Sequence, residues 1–267
     1  MNNIVTRFAP SPSGYLHLGH AASAAKAFGF AQEHAGTCLL RIEDIDTTRC
    51  KPEFEQAIYE DLTWLGYTWP QPVRRQTDHM DAYTHVIEKL RGMGLVYRCF
   101  KTRTELAAEG ARPILDKSQE QDWVASGKAF AWRLSLDRAQ KYLGEKYNQL
   151  IFLDHGKPVR VNPALLGDVI LARKDIGTSY HVACCHDDYA QGITDIVRGV
   201  DLLESTHIHR LLQELLDWPV PHYHHHTLLV GADGKRLSKS KKSRAIRAMR
   251  QSGATPDIIL AQAGQLG

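Results

Sequence analysis

Two histidines one helical turn apart, His17 and His20 in HLGH, follow the turn PSPSG, and a lysine-rich loop, GADGKRLSKSKKSRA, occupies 231–245. At the start of a helix, backbone N–H groups and the helix dipole already favour an anion, and two imidazoles add movable donors. Arg236, Leu237, Ser238, Lys239 and Ser240 bring positive charge and hydroxyls from a second direction. The two segments together suit a triphosphate gripped from both sides. Taken alone, HLGH is equally a helix cap with two surface histidines, and a lysine run is usually a solvated face.

Further candidates lie beside the histidine pair. Arg7, Ala9 and Ser11 sit at the end of a predicted first strand and in its turn, and Glu43 ends a predicted second strand, so all can face one crevice at the carboxyl ends of a parallel sheet. Arg198 in IVRG is a further candidate for a carboxylate. Read only as residues, Glu43 pairs with Arg41 or Arg49, Arg198 pairs with Asp195 or Asp201, and Tyr180 is core packing.

The elements that must position these residues alternate strand and helix, which predicts α/β with a parallel sheet. NIVTRF reads as a strand, Leu18 to Ala35 as a helix stopped by Gly36, TCLLRIED as a strand, and PEFEQAIYEDLTWLG and DHMDAYTHVIEKLRGMG as helices. Over 97–177 the pattern loosens into short strands such as AFAWRL and IFLDHG; ITDIVRG and ESTHIHRLLQELLDW then restore it. The expectation is a Rossmann-type nucleotide-binding domain over 1–96 and 178–226. An α+β subdomain is inserted at 97–177, and 227–267 holds the lysine loop and a short helical C-terminal segment.

Composition narrows the class without deciding it. A chain of 267 residues, 43% hydrophobic and 24% charged, is long enough for a substantial core, and a net charge of +3 does not by itself indicate nucleic acid. Five cysteines form no CxxC pair, the start MNNIVTRFAP lacks the apolar core of a signal peptide, and no run of about 18 apolar residues exists. A monomer in a reducing cytoplasm, with no membrane partner, is expected.

HLGH and RLSKS resemble the two signature sequences of class I aminoacyl-tRNA synthetases. RFAPSPSGYLHLGHA, LLRIEDIDTTR, DDYAQGITDIVRGVDLLEST and LLVGADGKRLSKS are similar to the glutamyl branch. The likeness spans most of the chain and is weakest over about 100–165. Glutamyl-tRNA synthetases continue past the lysine loop into a helical anticodon-reading domain. Few residues follow Ser240, so that domain is expected to be absent, and the chain most resembles the truncated glutamyl-queuosine tRNA(Asp) synthetases.

The resemblance implies ATP, Mg²⁺ arriving with it, L-glutamate, and a queuosine-bearing tRNA(Asp) anticodon loop as acceptor. It assigns His17, His20 and Lys239 to catalysis, and His17, Gly19, His20 and Arg236 to Ser240 to ATP. It places Arg7, Ala9, Ser11, Glu43, Tyr180 and Arg198 around glutamate, with arginines for carboxylates and Glu43 for the ammonium. Basic residues such as Lys241, Lys242, Arg244 and Arg247 are available for RNA phosphates.

Relatives hold zinc in the insertion through a CxC after a tyrosine; YRCFKT has Cys99 but Lys101 at the second position, so zinc is not expected. His222 to His226 alternate faces if they form a strand and cannot all reach one ion, and Cys184-Cys185 reads as buried and reduced. Three other readings stay open. A non-catalytic tRNA-binding paralog would show broken signatures. A small-molecule nucleotidylyltransferase would not need RIEDIDTTR. A discrete glutamyl synthetase would charge an ordinary tRNA 3′ end.

Overall fold

The computed structural model describes residues 3–102, 104–106, 116–228 and 245–265. Its first unit is strand β1 (Val5–Phe8), helix α1 (Leu18–Glu33) and strand β2 (Thr37–Ile42), with β1 and β2 parallel and Arg7 opposite Leu39. Alanine carries most of the buried face of α1, at Ala21, Ala22, Ala24, Ala27 and Ala31. It favours the helix and lets it approach the strands closely. α1 ends two residues before the expected Ala35. Ala35 is left-handed (φ 50°), and the Gly36 N–H reaches back to the Ala31 carbonyl at 2.8 Å, closing a Schellman-type cap.

Helix α2 (Pro52–Trp64) begins on a proline and leads to the short strand β3 (Arg74–Arg75), parallel to β2; helix α3 (Met80–Gly92) follows. Strands β4 (Val96–Cys99), β5 (Ala131–Leu134) and β8 (Ile170–Ala172) form a separate antiparallel sheet in the order β4-β5-β8, with helices α4 (Lys117–Ala125) and α5 (Leu136–Leu143) between them in the chain. β6 (Ile151–Asp154) and β7 (Lys157–Arg160) make a hairpin whose turn residues His155 and Gly156 both have positive φ.

Helix α6 (Tyr180–Ala190), strand β9 (Asp195–Gly199), helix α7 (Leu203–Leu216) and strand β10 (His222–His226) complete the α/β alternation, and helices α8 (Ile246–Gln251) and α9 (Pro256–Gln265) close the chain. β10 lies parallel between β9 and β6, so the β6–β7 hairpin from within 97–177 extends the sheet that carries β9. β9 abuts β1: the Thr194 N–H donates to the Val5 carbonyl at 2.9 Å, and the Val5 N–H donates to Thr194 Oγ1 at 2.9 Å. The spatial run β3-β2-β1-β9-β10 is the Rossmann order, with its direction of winding reversing between β1 and β9.

Gly36, just before β2, passes close to the start of β1: a methyl group there would lie 2.5 Å from the Ile4 carbonyl oxygen and 2.8 Å from its Cβ. Gly29, within α1, has nothing inside 4 Å of the same position. Gly36→Ala is therefore expected to cost about 1–3 kcal/mol by overpacking, and Gly29→Ala to gain up to about 1 kcal/mol from helix propensity. Urea midpoints that shift in opposite directions would bear this out.

Candidate active site

At the winding reversal, the carboxyl ends of β1, β9 and β10 and the amino end of α1 enclose a crevice of about 620 Å³. The sequence-predicted residues Arg7, Ala9, Ser11, His17, Gly19, His20, Glu43, Tyr180 and Arg198 all line it. Arg236, Leu237, Ser238, Lys239 and Ser240 lie outside the described residues.

The histidine pair is both a helix cap and part of the crevice wall. The Gly19 N–H donates to His17 Nδ1 at 3.1 Å, and the His17 N–H donates to His20 Nδ1 at 3.2 Å, a capping box built from imidazoles. An Nδ1 that accepts a backbone N–H carries no proton, so each neutral ring bears its hydrogen on Nε2. The rings lie 3.9 Å apart, tilted by 32°. Capping thus sets the tautomer that suits an anion.

Beneath the crevice runs a buried charge network. Asp188 on α6 accepts at Oδ1 from Arg7 Nε and from Arg41 Nη1, both at 2.9 Å, and Arg41 Nη2 donates to Glu43 Oε1 at 3.2 Å. Burial works against the Asp188 charge, but Arg7 and Arg41 hold its carboxyl below the ordinary range. Burial pushes the Glu43 carboxyl up, opposed by Arg41 and Arg7. Glu43 therefore makes the Arg41 pair that its neighbours suggest while also facing the crevice.

Arg198 is different. It is 5% exposed and, among the described residues, pairs with no carboxylate; Asp195 instead accepts from Thr194 Oγ1 at 2.8 Å and contacts His224 Nε2 at 2.9 Å. Its Nε donates to His225 Nε2 at 3.2 Å, and Nη2 donates to Thr206 Oγ1 at 2.6 Å and the Leu202 carbonyl at 3.3 Å. Among the described residues, the contacts of Nη1 are long, 3.3 Å to the Tyr180 hydroxyl and 3.5 Å to His209 Nδ1. All these partners are neutral acceptors. Burial, and next the Arg198 charge, lower His225 and His181 to about 4, and the same two causes put His209 well below its ordinary value. A buried guanidinium walled by neutral groups and edged onto a crevice suits a ligand carboxylate.

Arg41, Asp188, Thr206, His209 and the role of His225 are not in the sequence-derived set. The signal for the first two is a charge inside an apolar run, Arg41 in TCLLRI and Asp188 four residues after Cys184 on the buried face of α6. His222 to His226 do form a strand with alternating faces, and Cys184 and Cys185 are buried free thiols. Among the described residues no group of three His, Cys, Asp or Glu side chains is arranged to hold a metal ion. Cys99 is buried in β4.

A family model for the catalytic domain of class I tRNA synthetases (E and Q) matches residues 3–267. A glutamyl-Q tRNA(Asp) synthetase of Rhodobacter capsulatus is 41% identical over 96% of this chain and 98% of its own. Glutamate–tRNA ligase 2 of Gluconobacter oxydans is 38% identical over 98% of this chain, which spans 60% of that relative. Among solved structures, the glutamate-tRNA synthetase of Elizabethkingia anophelis superposes with a TM-score of 0.74 at 28% identity, over 89% of this chain and 53% of that one.

Two histidines near Arg198 make stability depend on pH. Unfolded, each takes up a proton near pH 6.5, whereas folded His181 and His225 do so only near 4. Between those values the unfolded chain binds more protons, so this contribution is full above about pH 6.5 and is lost as pH falls toward about 4. His225→Gln is expected to flatten that slope by up to about 1.4 kcal/mol per pH unit, one proton's worth. Urea titrations across the window measure it; an unchanged slope would contradict a neutral, buried His225.

Proposed function

The chain belongs to the glutamate and glutamine branch of the class I tRNA synthetases, and on that premise we propose that its crevice activates L-glutamate with ATP and transfers it to the cyclopentenediol of queuosine in tRNA(Asp). The observation that carries the amino-acid half is Arg198, a buried cation without a carboxylate partner among the described residues, opening beside Tyr180 onto the crevice. The acceptor half is supported by the name of the Rhodobacter relative and the near-complete mutual coverage. It is also supported by chemistry: queuosine's diol resembles the terminal ribose cis-diol that ordinary synthetases esterify.

Glutamate enters with one carboxylate on the Nη1 edge of Arg198 and the Tyr180 hydroxyl. Arg41 holds Glu43 Oε1, and the other Glu43 oxygen accepts from the substrate ammonium. A glutamate carboxylate oxygen attacks the α-phosphorus of Mg·ATP, the bond to pyrophosphate breaks, and the mixed anhydride remains. His17 and His20 donate to the phosphates through Nε2, and Lys239 neutralises charge on the departing pyrophosphate. A diol oxygen then attacks the anhydride carbonyl, releasing AMP and leaving an ester. The enzyme supplies orientation and fixed charge in both steps.

Glutamate-dependent pyrophosphate exchange is expected without RNA, because the proposed glutamate and ATP residues lie in this chain. Lys239→Ala should slow exchange roughly 10²- to 10³-fold, the range for losing one preorganised donor. Glutamine should be rejected, since its amide leaves the buried Arg198 charge uncompensated. Silence in the exchange assay, or equal use of glutamine, counts against the pocket.

The acceptor is tested separately. An isolated anticodon stem-loop carrying queuosine should accept labelled glutamate, the guanosine loop should not, and periodate oxidation of the diol should abolish acceptance. Label on the 3′ end of tRNA(Glu), with none on the modified loop, would replace this reading with ordinary glutamyl-tRNA synthesis.

A further inference from the structure

The guanidinium of Arg198 is held from behind by a residue outside the crevice lining. Asp154, the last residue of β6, accepts at Oδ1 from the His225 backbone N–H at 3.0 Å and lies 3.1 Å from His225 Nδ1. A carboxylate at that distance from Nδ1 keeps the ring proton there, which leaves Nε2 as an acceptor. That Nε2 is the atom 3.2 Å from Arg198 Nε. We propose that Asp154 and His225 are positioning residues for amino-acid selection, and that they set the guanidinium plane of Arg198 through the ordered chain Asp154 carboxylate, His225 imidazole, Arg198 guanidinium.

Three features support the chain. His225 is 8% exposed, so its tautomer is set by the protein and not by water. Asp154 and Tyr223 are register partners where β6 meets β10, which places the carboxylate beside the strand that carries His225. A charged imidazolium would have no lone pair for Arg198, and burial and the Arg198 charge lower His225 to about 4, keeping it neutral near pH 7. With Nε and Nη2 tied to His225, Thr206 and Leu202, the weakly held Nη1 edge is the one presented toward Tyr180. The stretch read from sequence as an insertion thereby contributes to substrate selection through Asp154, without entering the crevice.

This inference rests on the reading that Arg198 receives a glutamate carboxylate, so the test includes Arg198→Ala. Steady-state exchange kinetics on the full chain, with circular dichroism to confirm folding, would compare Arg198→Ala, Asp154→Ala, Asp154→Asn, His225→Leu, His225→Gln and the double variant Asp154→Ala/His225→Leu. Loss of an orienting partner behind a ligand-binding group typically costs about 10- to 100-fold. Asp154→Ala and His225→Leu are thus expected to raise KM for glutamate about tenfold or more and to weaken discrimination against glutamine, with KM for ATP unchanged.

Asp154→Asn retains an oxygen acceptor, and His225→Gln supplies an amide oxygen in place of Nε2, so both should return KM to within a few-fold. The double variant should cost less than the two single effects combined, because both break one chain. An unchanged glutamate KM in Asp154→Ala, or a rise in both KM values together, would overturn the inference. No effect of Arg198→Ala would instead sink the glutamate reading, and the inference with it. An effective Arg198→Ala beside silent Asp154 and His225 variants removes the inference alone.

Discussion

The structure is organised around one buried carboxylate. Asp188 is 4% exposed and is shared by Arg7 from β1 and Arg41 from β2, so two neighbouring parallel strands and α6 are tied at a single Oδ1. Removing one partner from such a buried set leaves an uncompensated charge, at a cost of about 3–5 kcal/mol. Glu43 extends the set to the crevice. Arg41 thereby ties the Asp188 cluster to a group on the crevice wall, so the ion pairs that hold the strands in place also fix the Glu43 carboxylate at the site.

Geometry places that pocket where a nucleotide can share it. At the reversal of winding between β1 and β9, the strand ends diverge and leave a crevice lined from both. α1 starts at that point, and its first-turn N–H groups face the opening, two of the donors already occupied by the His17 and His20 rings. The alanine face of α1 keeps the helix near β1 and β2, and the cap at Ala35 and Gly36 returns the chain beside Ile4. Small residues and a tight reversal therefore determine where the helix dipole points.

The stretch over 97–177 divides between two tasks. β4, β5 and β8 build their own antiparallel sheet, while the β6–β7 hairpin joins β10. The positive φ of both His155 and Gly156 matches the turn that a twisted two-residue hairpin requires. That turn lets β6 end at Asp154 against Tyr223, two residues before His225. The sequence marks IFLDHG as a short strand but not which sheet it joins, because local periodicity does not encode strand pairing.

What the sequence determined by itself is local. Caps, breakers and alternation act over a few residues, so the strand–turn–helix around HLGH, the β2 and β9 strands and the alternating faces of His222 to His226 were legible. Spacing on a strand also bears on the pairing alternatives. Arg41 and Glu43, the latter just past the end of β2, stand two apart and pair; Asp195 and Arg198 stand three apart on β9 and face opposite sides, and they do not. Only the tertiary structure decided the long-range choices. Asp188 is 181 residues from Arg7 and 147 from Arg41, and Asp154 is 71 from His225. No local propensity encodes which buried charge finds which partner over such separations, because that choice follows from strand order and from the cost of leaving any of them unpaired in the core.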